Sequence, residues 1–306
     1  MSVVAAPTLE IRRSKLPVPR AAVLSDFWAL TKPEVNLLIV TATFTGFYLG
    51  CPNLHPLPLG RLVAVLLSTL LVASGAGALN QFLEHAYDAQ MRRTLRRPLA
   101  AGRLRPVFAV WFGIALAAIG AASLNVFVNA LTSGLALSTL GAYLFIYTPL
   151  KRKSPLCTLV GALPGAIPPL IGWAAARGSI ASPDAWTLYA MLFFWQFPHF
   201  MAIAWLYRED YARAGYVTLP TRNASRFLNW FTVVPSVGLV LTSFTAAAES
   251  GRPVVLFSAA AVLGLGLLHY VRQQVVLGSR LAARRLLEGT IFYLLLEMLA
   301  LVLAKN

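Results

Sequence analysis

Residues 80–105 read NQFLEHAYDAQMRRTLRRPLAAGRLR, and a long apolar run flanks them on either side. Asn80, Glu84 and Asp88 recur every four residues. A step of four turns an α-helix by about 400°, so the three side chains drift only ~40° per step and share one face. Glu84 and Asp88 are then ~6 Å apart along the axis. Arg92, Arg93, Arg96 and Arg97 follow directly. Carboxylate and amide oxygens suit a hard divalent cation such as Mg²⁺, which keeps other positions for water or phosphate oxygens. Guanidinium groups suit the phosphate itself. One reading is therefore a site for a Mg²⁺-bound diphosphate at a membrane surface. The other is a solvated helix end followed by ordinary arginine anchors.

The flanking runs belong to a pattern that fills the chain. Of 306 residues, 58% are apolar and only 12% charged, and the mean hydropathy is +0.68. A soluble domain is about half apolar and a quarter charged, so the composition specifies a polytopic membrane protein. The net charge of +15 would suggest nucleic acid in a soluble chain. Here the basic residues sit in loops between apolar spans, and no nucleic-acid partner is expected. Cys51 and Cys157 form neither a disulfide framework nor a CxxC metal motif.

Nine apolar segments are long enough, or nearly so, to cross ~30 Å of hydrocarbon. They are Val35–Gly50, Leu62–Phe82, Val107–Ala122, Val126–Tyr147, Leu156–Ala176, Ala185–Leu206, Phe227–Ala247, Val254–Val271 and Leu286–Leu303. Nine crossings put 22 of the 26 lysines and arginines on one side. The other side keeps Arg61, Arg177, Arg252 and Lys305. The positive-inside rule then makes the N-terminus cytoplasmic. Residues 1–25 form a polar cytoplasmic tail, and 26–306 form one transmembrane domain. The tail lacks the apolar core of a usual signal peptide. Its prolines, Pro7, Pro17 and Pro19, spoil an amphipathic presequence, which points to the bacterial inner membrane rather than the mitochondrial one.

Four further stretches carry chemistry, each with two readings. Tyr147, Lys151 and Arg152, in YTPLKRK, either hold phosphate or anchor a helix end, and Lys32 in TKPEV has the same ambiguity. Residues 161–173, GALPGAIPPLIGW, break a span. A broken span either walls a cavity or kinks for packing. Gln196 and His199 in FFWQFPHF put polar groups at membrane depth, where they usually face an interior. His199 is either a hydrogen-bonded structural residue or a ligand for a metalloporphyrin. Glu209 and Asp210 are either a solvated loop pair or a second acidic site for a two-cation arrangement.

Together these residues resemble the UbiA superfamily of intramembrane prenyltransferases, most closely its heme-farnesylating branch. The resemblance covers about residues 26–300. It rests on Asn80, Glu84 and Asp88; on Met91, Arg93, Thr94, Arg97, Pro98 and Leu99; and on YTPLKR at 147–152. It also rests on GAIPPLIGW at 165–173, WQFPHF at 195–200 and DYARAG at 210–215. The last three patterns mark the heme branch. The chain departs where DRD is usual and it reads Glu84, His85, Ala86, and where YVTLP replaces the more usual xPMLP.

The resemblance implies an all-α fold of nine transmembrane helices around a central cavity opening to the cytoplasm. It implies farnesyl diphosphate as donor, heme b as acceptor and Mg²⁺ as cofactor, with heme O and diphosphate as products for heme-copper oxidase assembly. Catalysis would fall to Asn80, Glu84, Asp88 and Asp210. Glu84, Asp88, Glu209 and Asp210 would hold metal. Lys32, Arg93, Arg97, Tyr147, Lys151 and Arg152 would bind diphosphate, and His199, Trp173 and Trp195 would meet heme. Heme A synthase or oxidase assembly factors would be downstream partners. The alternatives are a related prenyltransferase acting on an aromatic quinone precursor and a non-catalytic heme-handling membrane protein.

Overall fold

The computed structural model describes residues 20–52, 56–218 and 224–305. Most of the expected tail, residues 1–19, lies outside the described residues. All regular structure among the described residues is helical. In chain order the helices are α1 (Arg20–Leu30), α2 (Pro33–Gly50), α3 (Leu59–Asp88), α4 (Pro106–Phe127), α5 (Ala130–Gly141), α6 (Thr148–Leu150), α7 (Cys157–Gly165), α8 (Pro168–Arg177), α9 (Pro183–Leu206), α10 (Arg208–Arg213), α11 (Ala224–Ala248), α12 (Pro253–Leu277) and α13 (Arg280–Ala304). A π-helical turn, Ala142–Tyr147, joins α5 to α6 in one rod. A break at Ala166 separates α7 from α8.

Seven of these rods are long and apolar enough to cross a membrane. The other two expected spans fall on α2 and α9. Both are helical, but their sequences are diluted by polar residues: Glu34, Asn36, Thr41, Thr43 and Thr45 in one, Asp184, Gln196 and His199 in the other. Asn36, Thr43, Thr45 and Gln196 are buried, so the mid-helix polar groups turn inward, while Glu34 and Asp184 in the first turns are exposed. Large apolar side chains such as Trp111, Phe145, Val262 and Phe292 are exposed on the outside, as a lipid-facing surface requires. The helix α1 begins within the expected tail. It is fixed by Asp26, which accepts from Nε and Nη2 of Arg103 at 2.8–3.1 Å.

Lipid offers no hydrophobic drive for helix association, so close contact depends on small residues. A methyl at Gly172 in α8 would fall on the Thr43 carbonyl oxygen of α2, and one at Gly46 of α2 on the Pro169 carbonyl. The break before α8 serves this crossing. Pro168 and Pro169 lack N–H groups, and the Ile167 N–H bonds the Pro164 carbonyl instead, at 3.3 Å. From Pro168 to Ala175 every residue of α8 is buried. Of the two readings of residues 161–173, the packing kink describes the contact of α8 with α2, while Trp173 of the same helix borders a cavity.

The two ends of the bundle differ. At one, Lys32, the last turns of α3, the loop after it, Lys151 and α10 converge. At the other, Arg177 donates to the Gly50 carbonyl at 2.6 Å. Lys305 Nζ there donates to the carbonyls of Tyr48 and Cys51 at 2.6 Å and of Leu49 at 3.0 Å. These two cations satisfy the free carbonyls at the C-terminus of α2.

Candidate functional site

The face predicted from the four-residue spacing exists and is buried. Asn80, Glu84 and Asp88 lie on the last turns of α3 with 1%, 6% and 1% of their surface exposed. Burying carboxylates is costly unless they are paired, and each has a cationic partner. Lys151 Nζ donates to Glu84 Oε1 at 2.8 Å. Arg97 Nη1 donates to Asp88 Oδ2 at 2.8 Å. Lys32 Nζ donates to Asn80 Oδ1 at 2.6 Å, while Asn80 Nδ2 donates to Thr148 Oγ1 at 3.2 Å. Asp88 Oδ1 is buried and has no hydrogen-bond partner among the described residues.

Lys32 reaches Asn80 from a strained backbone. Its φ is +54°, a left-handed conformation uncommon for a residue with a side chain. Neighbouring bonds hold it there. Asn36 Nδ2 donates to the Thr31 carbonyl at 2.8 Å, and Gln81 Nε2 donates to the Leu30 carbonyl at 3.1 Å. Burial, with Arg97 and Lys151 close by, pulls the Lys32 amine down to about 7.

Lys151 caps the C-terminus of α6, the short helix that follows the π turn. Its ammonium lies 4.6 Å from the centre of the Tyr147 ring, a favourable cation–π distance. Gly161 makes room for that ring, since a methyl there would meet Tyr147 side-chain carbons. Arg152 is turned to the other side. It stacks on Tyr87, 4.3 Å from the ring centre, and is exposed.

The second acidic pair divides. Asp210 is buried; its Oδ2 accepts from the Arg93 backbone N–H at 3.1 Å, and its Oδ1 pairs with Arg213. Glu209 is 77% exposed along its side chain and stands 4.0 Å from Arg208. Consecutive helical residues diverge by about 100°, so α10 can aim only one of the two inward. Glu209 therefore does not join Glu84 and Asp88. Among the described residues no group of three or more His, Cys, Asp or Glu is placed to hold a metal ion. Arg93 lies 4.5 Å over Tyr207 and donates to the Tyr211 hydroxyl at 3.1 Å. With Arg92, Arg208 and Arg280 it rims a cavity of about 360 Å³ that also meets Glu209 and Asp210.

Deeper in the bundle, His199 stacks on Trp195 with ring centres 4.5 Å apart. Both residues bond to Thr290 of α13. Trp173 does not join them. It lies under Arg177, 5.9 Å from the guanidinium, and borders a separate cavity of about 320 Å³ with Leu49, Leu301 and Lys305 at the opposite end. The difference follows from α8, which carries Trp173 toward the C-terminus of α2.

Two residues, Tyr216 at the start of YVTLP and Thr290, join the site although the sequence reading assigns neither a role. Tyr216 is buried, its hydroxyl lacks a partner among the described residues, and burial together with the nearby Glu84 carboxylate raises its pKa. Thr290 lies in a largely apolar run with no motif around it. Its only signal is that polar groups at membrane depth tend to be functional.

The profile of the UbiA prenyltransferase family matches residues 38–296. The chain belongs to the UbiA prenyltransferase family. Among UbiA relatives, the protoheme IX farnesyltransferase of Solibacter usitatus is 40% identical over 285 residues, covering 89% of this chain and 95% of the relative. That of Opitutus terrae is 38% identical over 287 residues, covering 93% and 96%. A UbiA homologue from Archaeoglobus fulgidus bound to DMAPP and Mg²⁺ shares 15% identity and a TM-score of 0.64, covering 90% of this chain and 99% of that one. That likeness establishes a common UbiA fold. As a UbiA member with several apolar helices, this chain is a multi-pass membrane protein. Where it departs from the usual UbiA acidic motif, His85 Nδ1 bonds the Phe82 carbonyl at 2.6 Å and the ring stacks on Phe82.

Proposed function

We propose that this chain transfers the farnesyl group of farnesyl diphosphate to a vinyl carbon of heme b, with water, giving heme O and diphosphate. One observation carries the donor half of this reading. Asp88 Oδ1 is a buried carboxylate oxygen without a partner among the described residues, set among Lys32, Arg97 and Lys151. Such an atom is costly unless something binds it. The acceptor half is supported by the names of relatives that this chain matches along nearly their whole length.

Asp88 would hold Mg²⁺ through its unpaired oxygen, with diphosphate oxygens and water completing the shell, while Glu84 and Asp210 carry further carboxylates now paired with Lys151 and Arg213. Mg²⁺ held there would neutralise diphosphate charge and so make it a better leaving group. Arg97, Lys151 and Lys32 would bind the diphosphate oxygens, and Arg93 would meet them at the rim. A polyanion would favour the protonated form of Lys32. The C1–O bond of the donor breaks and its electron pair leaves with diphosphate. C1 bonds the outer vinyl carbon of heme, water adds to the inner one, and a proton is released. The apolar interior keeps other water from the allylic cation, and the faces of Phe194 and Trp195 stabilise it. Trp195 and His199 position the heme. We further propose a bacterial inner-membrane location with the N-terminus in the cytoplasm, and delivery of the product to heme A synthase or oxidase assembly factors.

The test is turnover of purified protein with heme b, farnesyl diphosphate and Mg²⁺, read by chromatography of the extracted heme. A more hydrophobic heme that a chelator abolishes is the expected result. Farnesylation of an aromatic quinone precursor with no heme product would replace the acceptor. Absence of diphosphate release with every acceptor would overturn the enzymatic reading.

A further inference from the structure

Thr290 touches both residues assigned to heme, and it does so through two different atoms. Its backbone carbonyl accepts from Trp195 Nε1 at 2.6 Å. Its hydroxyl oxygen lies 3.0 Å from His199 Nδ1 and 2.7 Å from the Leu287 carbonyl oxygen. Thr290 is fully buried, so water does not compete for these bonds.

A threonine hydroxyl has one proton and two acceptor lone pairs. A carbonyl oxygen can only accept, so the short contact to Leu287 takes that proton. The oxygen must then accept from His199, which puts the imidazole proton on Nδ1. In a neutral imidazole the other nitrogen becomes the acceptor. Nε2 has no hydrogen-bond partner among the described residues, and His199 as a whole is only partly buried. Stacking on Trp195 fixes the ring plane. One residue thus sets the tautomer through its hydroxyl and, through its carbonyl, the ring that His199 lies against.

We propose that Thr290 is a positioning residue that holds His199 as the Nδ1–H tautomer and leaves the Nε2 lone pair to bind the heme iron. The inference rests on the reading above that His199 meets the heme. The supporting shell of a metal-binding histidine normally bonds its second nitrogen in this way, and its loss typically costs about 10–100-fold in affinity or activity.

The experiment uses full-length protein in detergent, titrated with heme b and followed by absorption spectroscopy in both iron oxidation states. Wild type, His199→Ala, Thr290→Val and Thr290→Ser are compared. Valine keeps the shape of threonine and removes only the hydroxyl, and the Trp195 bond to the backbone remains. The expected result is a histidine-ligated spectrum in wild type and in Thr290→Ser, its loss in His199→Ala, and a mixed or lost signature in Thr290→Val. Heme affinity of Thr290→Val should fall about 10-fold, with the KM for farnesyl diphosphate unchanged. Identical spectra for wild type and His199→Ala would overturn the iron-binding role of His199 and this inference with it. A His199-dependent spectrum that is unaltered in Thr290→Val would overturn the role of Thr290 alone. Nitrogen-15 NMR of histidine-labelled wild type, with His199→Ala identifying the signal, reads the tautomer without a Thr290 variant. A proton on Nε2 would refute the assignment.

Discussion

Asp88 is where burial and charge conflict most sharply. One oxygen is neutralised by Arg97, and the other is buried without a partner among the described residues. If that oxygen binds the cation, Asp88→Asn removes the charge while keeping the shape and the Arg97 contact. Farnesyl transfer should then fall about 10²–10³-fold, the scale at which single groups that stabilise developing charge act. An unchanged rate of diphosphate release in Asp88→Asn would remove Asp88 from the metal site. Glu84 and Lys151 make a different point. Their side chains are 7% and 17% exposed, and breaking such a pair leaves an isolated buried charge. Lys151→Met should cost about 3 kcal/mol in SDS-induced unfolding. Glu84→Gln combined with Lys151→Met should recover most of that loss, because no lone carboxylate is left. Equal stability for the single and double variants would mean that the pair is solvated. Spacing alone was enough to put Asn80, Glu84 and Asp88 on one face. It could not separate Glu209 from Asp210, which depends on the rotation of a six-residue helix about its own axis. Nor could it find Thr290, whose importance comes from two atoms reaching two residues of another helix.

At the scale of elements, α2 and α8 show why apolarity alone is an incomplete guide to membrane helices. Helix α2 can carry polar residues because Asn36, Thr43 and Thr45 are buried against protein. Its contact with α8 depends on Gly46 and Gly172, each set against backbone of the opposing helix. Backbone cannot move aside as a side chain can. Gly172→Ala should therefore lower stability by about 1–3 kcal/mol, the usual cost of overpacking. Gly134→Ala in α5, where nothing lies within 4 Å of the added methyl, should be neutral or slightly stabilising, since alanine favours helix. Unfolding midpoints of the two variants in the same detergent check this, and equal values would deny the close crossing. The proline-glycine run before α8 was legible as a break but not by purpose. The π turn before Tyr147 had no sequence signal. It adds one residue per turn locally, and such turns recur at functional sites. Here it delivers Tyr143 and Tyr147 to the region of Lys151.

Across the whole molecule, the charge bias and the contacts agree on which loops belong together. Lys32, Arg93, Arg97, Lys151 and Arg213, all assigned to one side by the positive-inside count, meet around the same carboxylates. Arg177 and Lys305, assigned to the other side, meet at the C-terminus of α2. The helices thus sort the loops as an odd number of crossings would, and the assignment can be tested directly. Cys51 and Cys157 are both buried, so background labelling by a polar maleimide should be low. Lys153 and Ser179 are exposed at opposite ends of the bundle. A membrane-impermeant maleimide applied to intact cells should label Ser179→Cys and spare Lys153→Cys, and inverted vesicles should give the reverse. Labelling of both from one side would break the alternation of crossings on which the grouping of basic loops depends. Exchange of the two patterns would keep the fold but place the carboxylate site at the outer face. The proposal of a cytoplasmic site fed by a cytoplasmic diphosphate would then fail, although every contact around Asp88 could stand.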